Sequence, residues 1–353
     1  MLDFPYLVVL ATCLVAQASP LGKRSVPAGV PRFVIDYGEY HAYYGFSPVV
    51  RLYSSDPYRP SDIGATLPNT TPNVNFGPLP NVANPLTLDN LDSLNNQGGP
   101  DIWLTSNQDV TTSPAWLNGV LPDAYGSTVD AIPGTVVVVD KGNGVVDAFY
   151  MYFYANNWGG EILNFNVGNH VGDWEHNVIR FNNGVPSQIW YSQHSNGEAF
   201  TYTTIQKEGI RPLVFSSNGS HANYATTGAQ DRVLPDLDLP GLVFNDYADS
   251  GPRWDPVLNS YFVKYDIASG DFEPYDDATP TAWLRFEGKW GDQQYPDSDP
   301  RQRSLFGLAY KFTGGPTGPR DKGLNRKNIC PDGDSFCFVR TSLSNQEVGE
   351  RVY

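Results

Sequence analysis

The sequence predicts a mainly β protein: an antiparallel β-sandwich with long loops and few short helices. Three observations carry that reading. Stretches of β-branched and aromatic residues recur through the middle of the chain, such as 136–139 (VVVV) and 145–155 (VVDAFYMYFYA). Turn signals at Asp140-Lys141-Gly142-Asn143-Gly144 and Asn182-Asn183-Gly184 divide such stretches into hairpins. Gly and Pro are frequent at 34 and 29 residues, Tyr reaches 21 and Met only 2, a composition suited to many strands joined by turns.

In chain order, Val34-Ile35-Asp36 is expected to open the first strand. Residues 54–85 are rich in Pro, Asn, Ser and Thr and predict long surface loops. Leu88, Leu91 and Leu94 recur every three residues between Thr87 and Gly98, so a short helix is expected there. Residues 136–139 and 145–155 form one predicted hairpin, and 175–181 with 188–191 a second. Residues 199–205 and 212–216 add two more strands, and their closeness in sequence predicts antiparallel neighbours. Beyond Gly228 the carboxylate pairs Asp236/Asp238, Asp271/Glu273, Asp276/Asp277 and Asp297/Asp299 lack the spaced register of an EF-hand and read as solvated turns. Residues 310–327, with Gly314-Gly315-Pro316-Thr317-Gly318-Pro319, read as a rigid surface loop without a phosphate-loop Gly-Lys-Ser/Thr.

The N-terminus reads as a secretory leader. A short apolar run from Leu7 to Val15 precedes Ala16-Gln17-Ala18, a small-x-small cleavage pattern, and Lys23-Arg24 resembles a dibasic processing site. Residues 1–24 are therefore assigned to signal and propeptide, and 25–353 to a single β-sandwich domain. No later stretch is long and apolar enough to span a bilayer. The net charge of −15 argues against nucleic acid or anionic membrane as a partner, because phosphate contacts need clustered Lys and Arg. Cys13 leaves with the leader, and Cys330 and Cys337 remain as an even pair expected to form a disulfide in an oxidising compartment. Asn69-Thr70-Thr71 and Asn218-Gly219-Ser220 are N-glycosylation sequons. Together these place the protein in the secretory pathway, in an extracellular or vacuolar lumen.

The densest chemistry lies in Gly168-Asn169-His170-Val171-Gly172-Asp173-Trp174-Glu175-His176. Four of the five histidines fall between positions 170 and 221. Asp173 and Glu175 are two apart, so on a strand both leave the same face. With His170, and with His194 and His221 from the ends of later strands, they form a candidate ligand set for a divalent cation, Ca, Mg, Mn or Zn. The alternatives are structural: Trp174 as core, His176 as a satisfied histidine on the opposite face, His194 and His221 bonded to backbone in turns, the two carboxylates capping amides. A serine hydrolase is disfavoured because no G-x-S-x-G elbow exists. Asp173 and Glu175 could also act as an acid/base pair.

Residues 168–180 (GNHVGDWEHNVIR), 190–199 (WYSQHSNGEA) and 218–225 (NGSHANYA) resemble the fungal vacuolar protein sorting-associated protein 62 family. The likeness extends to 85–90 (PLTLDN), Trp254-Asp255-Pro256 and 314–319. It implies a secretory-pathway protein tied to vacuolar protein trafficking and supplies no reaction. A weaker likeness confined to the central hairpins is to necrosis-inducing NLP proteins. Their G-H-R-H-D-W-E motif sits in a β-sandwich, where the first His, the Asp and the Glu help bind a divalent cation. The matching positions are His170, Asp173 and Glu175. Gly172 replaces the second His, and the aromatic run from Tyr152 ends in Asn156-Asn157 where that family has an Asp ligand. The expected role is non-enzymatic, in trafficking or recognition, with a glycan, glycolipid or cargo protein as partner. The alternatives are a metal-dependent hydrolase and a cation-dependent glycan- or glycolipid-binding module.

Overall fold

Eight strands pair edge to edge into the sheet that organises the computed structural model, which describes residues 26–35, 45–231, 244–333 and 337–343. Along the chain run β1 (Val49–Arg51), β2 (Gly134–Gly142), β3 (Val145–Asn157), β4 (His170–Asn182), β5 (Val185–Gln193), β6 (Asn196–Thr201), β7 (Arg211–Ser216) and β8 (Asn245–Ala248). The large sheet has the order Asp271–Pro274, Ser260–Asp266, β2, β3, β4, β5, β6, Val339–Arg340. From β2 to β6 it is an antiparallel meander, and the pairs on either side of it, Ser260–Asp266 with β2 and β6 with Val339–Arg340, are parallel.

Turn chemistry explains the meander. Asn143 and Gly144 both take positive φ, 52° and 77°, as do Asn183 and Gly184 at 50° and 79°. Two successive left-handed residues give the twist that matches right-twisted strands, and Asn-Gly adopts them at least cost. The alternation along β3 and β4 then sorts side chains onto two faces. Tyr150, Tyr152, Tyr154, Ile179 and Phe181 point to one, and Phe149, Met151, Phe153, Trp174 and Val178 to the other.

Both faces are covered. On the tyrosine side lies a smaller sheet of Lys207–Glu208, β7, β1 and Arg253–Trp254, with Asn223–Tyr224 paired to β7. On the tryptophan side lies a layer of loops, the strands Gly77–Pro78, Thr70–Val74 and Trp103–Ser106, and short 3-10 helices. Trp174 stacks on Trp283 at 5.7 Å and 14°, and meets Trp290 edge-on at 5.5 Å and 83°. Each such ring contributes roughly 1.5–3 kcal/mol by burial alone. Buried ion pairs pin the margins: Arg180 holds Asp147 by two bonds of 2.7 Å across the β3–β4 pair, and Arg211 grips Asp255 at 2.6 and 2.7 Å.

Several local expectations are corrected. Val34 ends a 3-10 turn, Arg32–Val34, rather than opening a strand; the hydroxyl of Tyr150 donates to its carbonyl at 2.6 Å. Asp36 lies outside the described residues. The stretch 54–85 is not all surface loop, for it carries the 3-10 helix Gly64–Asn69 and the strand Thr70–Val74 and buries Ile63 and Leu67. The helix at Leu91–Gln97 is a 3-10 helix whose first turn buries Leu91 and Leu94. β6 stops at Thr201, short of Ile205. β7 lies in the smaller sheet, parallel to β1, because Val49 and Val50 supply the partner row. Residues 310–327 are a buttress more than a surface loop: Leu324 and Arg326 are buried, and Gly315 and Gly318 pack directly on Gly291 and Trp290. Asp271 and Glu273 lie on the edge strand Asp271–Pro274 rather than in a turn and engage Arg285 and Lys264; Asp276 and Asp299 engage local amides and Arg301, while Asp236 and Asp238 lie outside the described residues.

Candidate functional site

β4 begins with a backbone exception. Gly172 has φ +69°, and a Cβ there would lie 1.7 Å from the Trp290 carbonyl oxygen. No side chain fits at 172, and the strand passes flush against the buttress. The next residue, Asp173, is delivered to the tyrosine face and accepts a hydrogen bond from His221 Nδ1 at 2.9 Å. His221 is 1% exposed and lies on Tyr154, ring on ring at 3.7 Å and 5°. It occupies a left-handed conformation, φ +56°, at the end of the Asn218-Gly219-Ser220 turn, an unusual choice for a non-glycine residue. Its other nitrogen, Nε2, is buried without a hydrogen-bond partner and lies 3.6 Å from Asp56 Oδ2. Asp56 is anchored by the amides of Gly219 at 2.7 Å and Tyr58 at 2.9 Å.

Glu175 leaves the same face one pleat further along. It accepts a hydrogen bond from the Ser192 hydroxyl, and the same Ser192 oxygen accepts the His176 amide at 2.8 Å. The His194 amide also donates to Glu175. His194 heads the two-residue turn between β5 and β6 with φ +57°, where glycine or asparagine is usual. Its Nε2 is tied to Asp246 on β8 at 2.6 Å, and Asp246 also accepts from Tyr224 at 2.7 Å and Ser220 at 3.0 Å.

The two carboxyls of β4 are pushed apart electrostatically. Burial drives Glu175 up, the adjacent Asp173 charge drives it further, and the bonds from Ser192 and His194 do not compensate; it stands well above the ordinary carboxylate range. Burial also acts upward on Asp173, but the His221 hydrogen bond and the charges of His221 and His170 outweigh it and hold Asp173 below its usual value. Burial depresses His170 against the pull of Asp173, and its Nδ1 donates to the Gly172 carbonyl at 2.6 Å.

The five residues singled out from sequence thus fall into one neighbourhood with separate contacts. Asp173 and His221 touch. Glu175 meets His194 through its amide, while the His194 ring turns to Asp246, and His170 bonds to backbone. Among the described residues no three His, Cys, Asp or Glu side chains form a grouped metal-ligand set. Asp56 and Asp246 were not signalled in the sequence, since each arrives from a distant segment with no motif around it. Cys330 and Cys337 form a disulfide. Asn69 closes the 3-10 helix Gly64–Asn69, half-buried, with its amide nitrogen on the Ala65 carbonyl at 2.9 Å. Asn218 is half-buried, and the Ser220 hydroxyl of its sequon is buried against Ser217.

The sequence model described as vacuolar protein sorting-associated protein 62 matches residues 161–306, which hold all of these residues except Asp56, the disulfide and Asn69. The putative vacuolar protein sorting-associated protein TDA6 of Saccharomyces cerevisiae is 36% identical over 336 residues, covering 86% of this chain and 69% of the relative. The chain belongs to the vacuolar protein sorting-associated protein 62 family. Vacuolar protein sorting-associated protein 62 of the same yeast is 34% identical over 330 residues, covering 85% of this chain and 68% of its own length. Among solved structures, the non-toxic HaNLP3 protein and one titled "Toxin fold for microbial attack and plant defense" each match 62% of this family member at 13% identity. They cover 71% and 70% of those chains, and TM-scores of 0.28 and 0.29 are too low to transfer residue positions. No helix among the described residues is long and apolar enough to cross a membrane.

Proposed function

We propose that this member of the vacuolar protein sorting-associated protein 62 family is a glycoprotein of the secretory pathway that serves vacuolar protein sorting, and that it binds a divalent cation between Asp56 and His221. The observation that carries the cation is the buried, unpartnered His221 Nε2 facing Asp56 Oδ2 at 3.6 Å. Two ligand atoms each about 2.0–2.2 Å from one ion stand at roughly this spacing. The other imidazole nitrogen is held by Asp173, the arrangement that orients a metal-bound histidine. Asp173 is therefore an orienting carboxylate in this reading. His170, Glu175 and His194 have their contacts with Gly172, Ser192 and Asp246 and would act from further out. Calcium, magnesium, manganese and zinc all remain in play, with oxygen-rich completion by water favouring the harder ions. The disulfide suits an oxidising lumen, and Asn69 and Asn218 are the proposed glycan sites.

The test is the metal content of secreted mature protein by mass spectrometry, wild type beside Asp56→Asn and His221→Gln. Near-stoichiometric metal in wild type, lost in a variant that still melts cooperatively, supports the site. Metal-free wild type that ignores calcium, manganese and zinc titrations overturns it.

One observation favours a second reading, a hydrolase: the opposed shifts of Asp173 and Glu175, one carboxyl lowered and the other raised on the same face, are the pattern of an acid/base pair. Turnover of model phosphate esters or glycosides, abolished in Glu175→Gln, would establish it. Sugar or glycolipid binding lost on chelation would instead support a recognition module.

A further inference from the structure

Two small hairpins spring side by side from the segment that leads into β4. The first pairs Glu161–Ile162 with Phe165–Asn166, and the second pairs Ser304–Leu305 with Ala309–Tyr310. The Val167 amide closes the first on the Gly160 carbonyl at 3.0 Å. The Gly168 and Asn169 amides donate to the Tyr310 and Lys311 carbonyls at 2.8 and 2.9 Å, which fixes the second beside it. Beneath them Ile162 and Val167 are buried in one small cluster, with Phe165, Leu305 and Ala309 packed against it.

Their turns depart from those of the large sheet. At Asn143-Gly144 and Asn183-Gly184 the left-handed positions go to residues that take them at least cost. In the two small hairpins they go to Leu163 (φ +51°) followed by Asn164 (+63°), and to Phe306 (+58°) followed by Gly307 (+70°). A bulky side chain on left-handed backbone is a genuine outlier. Packing does not return that cost, because Leu163 and Phe306 are each 68% exposed, and Leu308 beside Phe306 is 51% exposed. Backbone strain and exposed apolar surface coincide at both tips, and neither helps the chain fold. Such a coincidence marks a binding surface.

Size and charge say what covers it. Three side chains this exposed amount to roughly 400 Å², about half of what one partner buries in a stable protein–protein interface. Side chains carried on exposed turns can instead sink singly into the headgroup and acyl boundary of a bilayer. Across residues 159–168 and 303–311 the charged side chains are Glu161, Arg303 and Lys311, a sum of +1 in a chain of −15. The tips thus lack the acidity that repels the rest of the protein from an anionic membrane. A nearly neutral apolar tip suits a zwitterionic surface.

We propose that Leu163, Phe306 and Leu308 dock the protein on a zwitterionic lipid surface of the phosphatidylcholine type. The three side chains enter the bilayer interface, and Arg303 and Lys311 reach lipid phosphates from behind them. This docking goes beyond the sorting role and needs no cation between Asp56 and His221.

The test is co-sedimentation of the full-length mature protein with phosphatidylcholine vesicles, in EDTA so that the outcome is separate from that of the cation site. Wild type is expected to partition onto the vesicles saturably. Adding phosphatidylserine is expected to weaken partitioning, because the chain carries −15. Leu163→Asn/Phe306→Asn is the decisive variant. Asparagine suits a left-handed position better than leucine or phenylalanine, so its thermal melt should be at least as high as that of wild type. Partitioning should nevertheless fall by about tenfold or more, since two apolar side chains no longer leave water. Val185→Ser is the control and is expected to change nothing. Val185 is 65% exposed, but it lies past the far end of β4, roughly 40 Å from His170 by strand rise. Wild type that stays in solution beside phosphatidylcholine vesicles, or a folded double variant that partitions as wild type does, overturns the proposal. So does wild type that self-associates in sedimentation velocity and ceases to in the double variant, for the patch then belongs to a second copy of the chain.

Discussion

The two faces of β4 differ in kind although they alternate residue by residue. On one, Asp173, Glu175 and Asn177 sit among His221, Ser192 and Tyr152, and each of the three carries a directed hydrogen bond. On the other, Trp174 and Val178 sit in an aromatic cluster with Phe153, Trp283 and Trp290. Packing tolerates small shifts and loses energy in proportion to volume. A buried network of charges and imidazoles either keeps all its partners or leaves a costly orphan. The polar face can therefore hold side chains in conformations that cost energy locally, such as left-handed His194 and His221, because the network over-determines them. The aromatic face supplies the stability against which that cost is set.

The comparison can be broken first at the point where both faces meet the buttress. Gly172→Ala should cost more than about 4 kcal/mol, because a methyl group at 172 collides with the Trp290 carbonyl and φ is left-handed. Urea denaturation would show it, and a near-native midpoint would mean that the buttress yields. Trp174→Ala removes a ring packed against three others and should cost about 3–5 kcal/mol. A loss under 1 kcal/mol would mean that the aromatic face is not what holds the sheet. Asp173→Asn leaves a similar shape but removes the charge that pairs with His221, so a loss of about 1–3 kcal/mol is expected. If it equals the Trp174→Ala loss, the polar face carries as much stability as the packed one. His194→Asn gives up the bond to Asp246 yet suits a left-handed turn better. The two effects oppose, and a net change within about 1 kcal/mol is expected in thermal melts. In a separate check, peptide-N-glycosidase should lower the mass of the secreted protein in wild type, and by one glycan less in Asn69→Gln.

Local signals made much of this molecule legible in advance. Asn143-Gly144 and Asn183-Gly184 specify left-handed pairs through their own steric freedom, and the alternation of residues 145–155 decides which side chain faces which layer. The shared face of Asp173 and Glu175 followed from strand period, and the cysteine pair from the even count left once Cys13 is assigned to the leader, both readable without tertiary structure. Tertiary structure alone decided the rest. Val34-Ile35 has the composition of a strand, yet Val34 ends in a 3-10 turn, where the Tyr150 hydroxyl donates to its carbonyl. β7 pairs in parallel with β1 through residues far apart in the chain. Asp56 and Asp246 reach His221 and His194 from segments with no motif, and Lys322 and Arg326 reach β4 from what reads as a surface loop. A carboxylate or a lysine looks alike in sequence whether it meets water or a buried imidazole. Its role is set by which distant backbone brings it close and by how much water that packing removes.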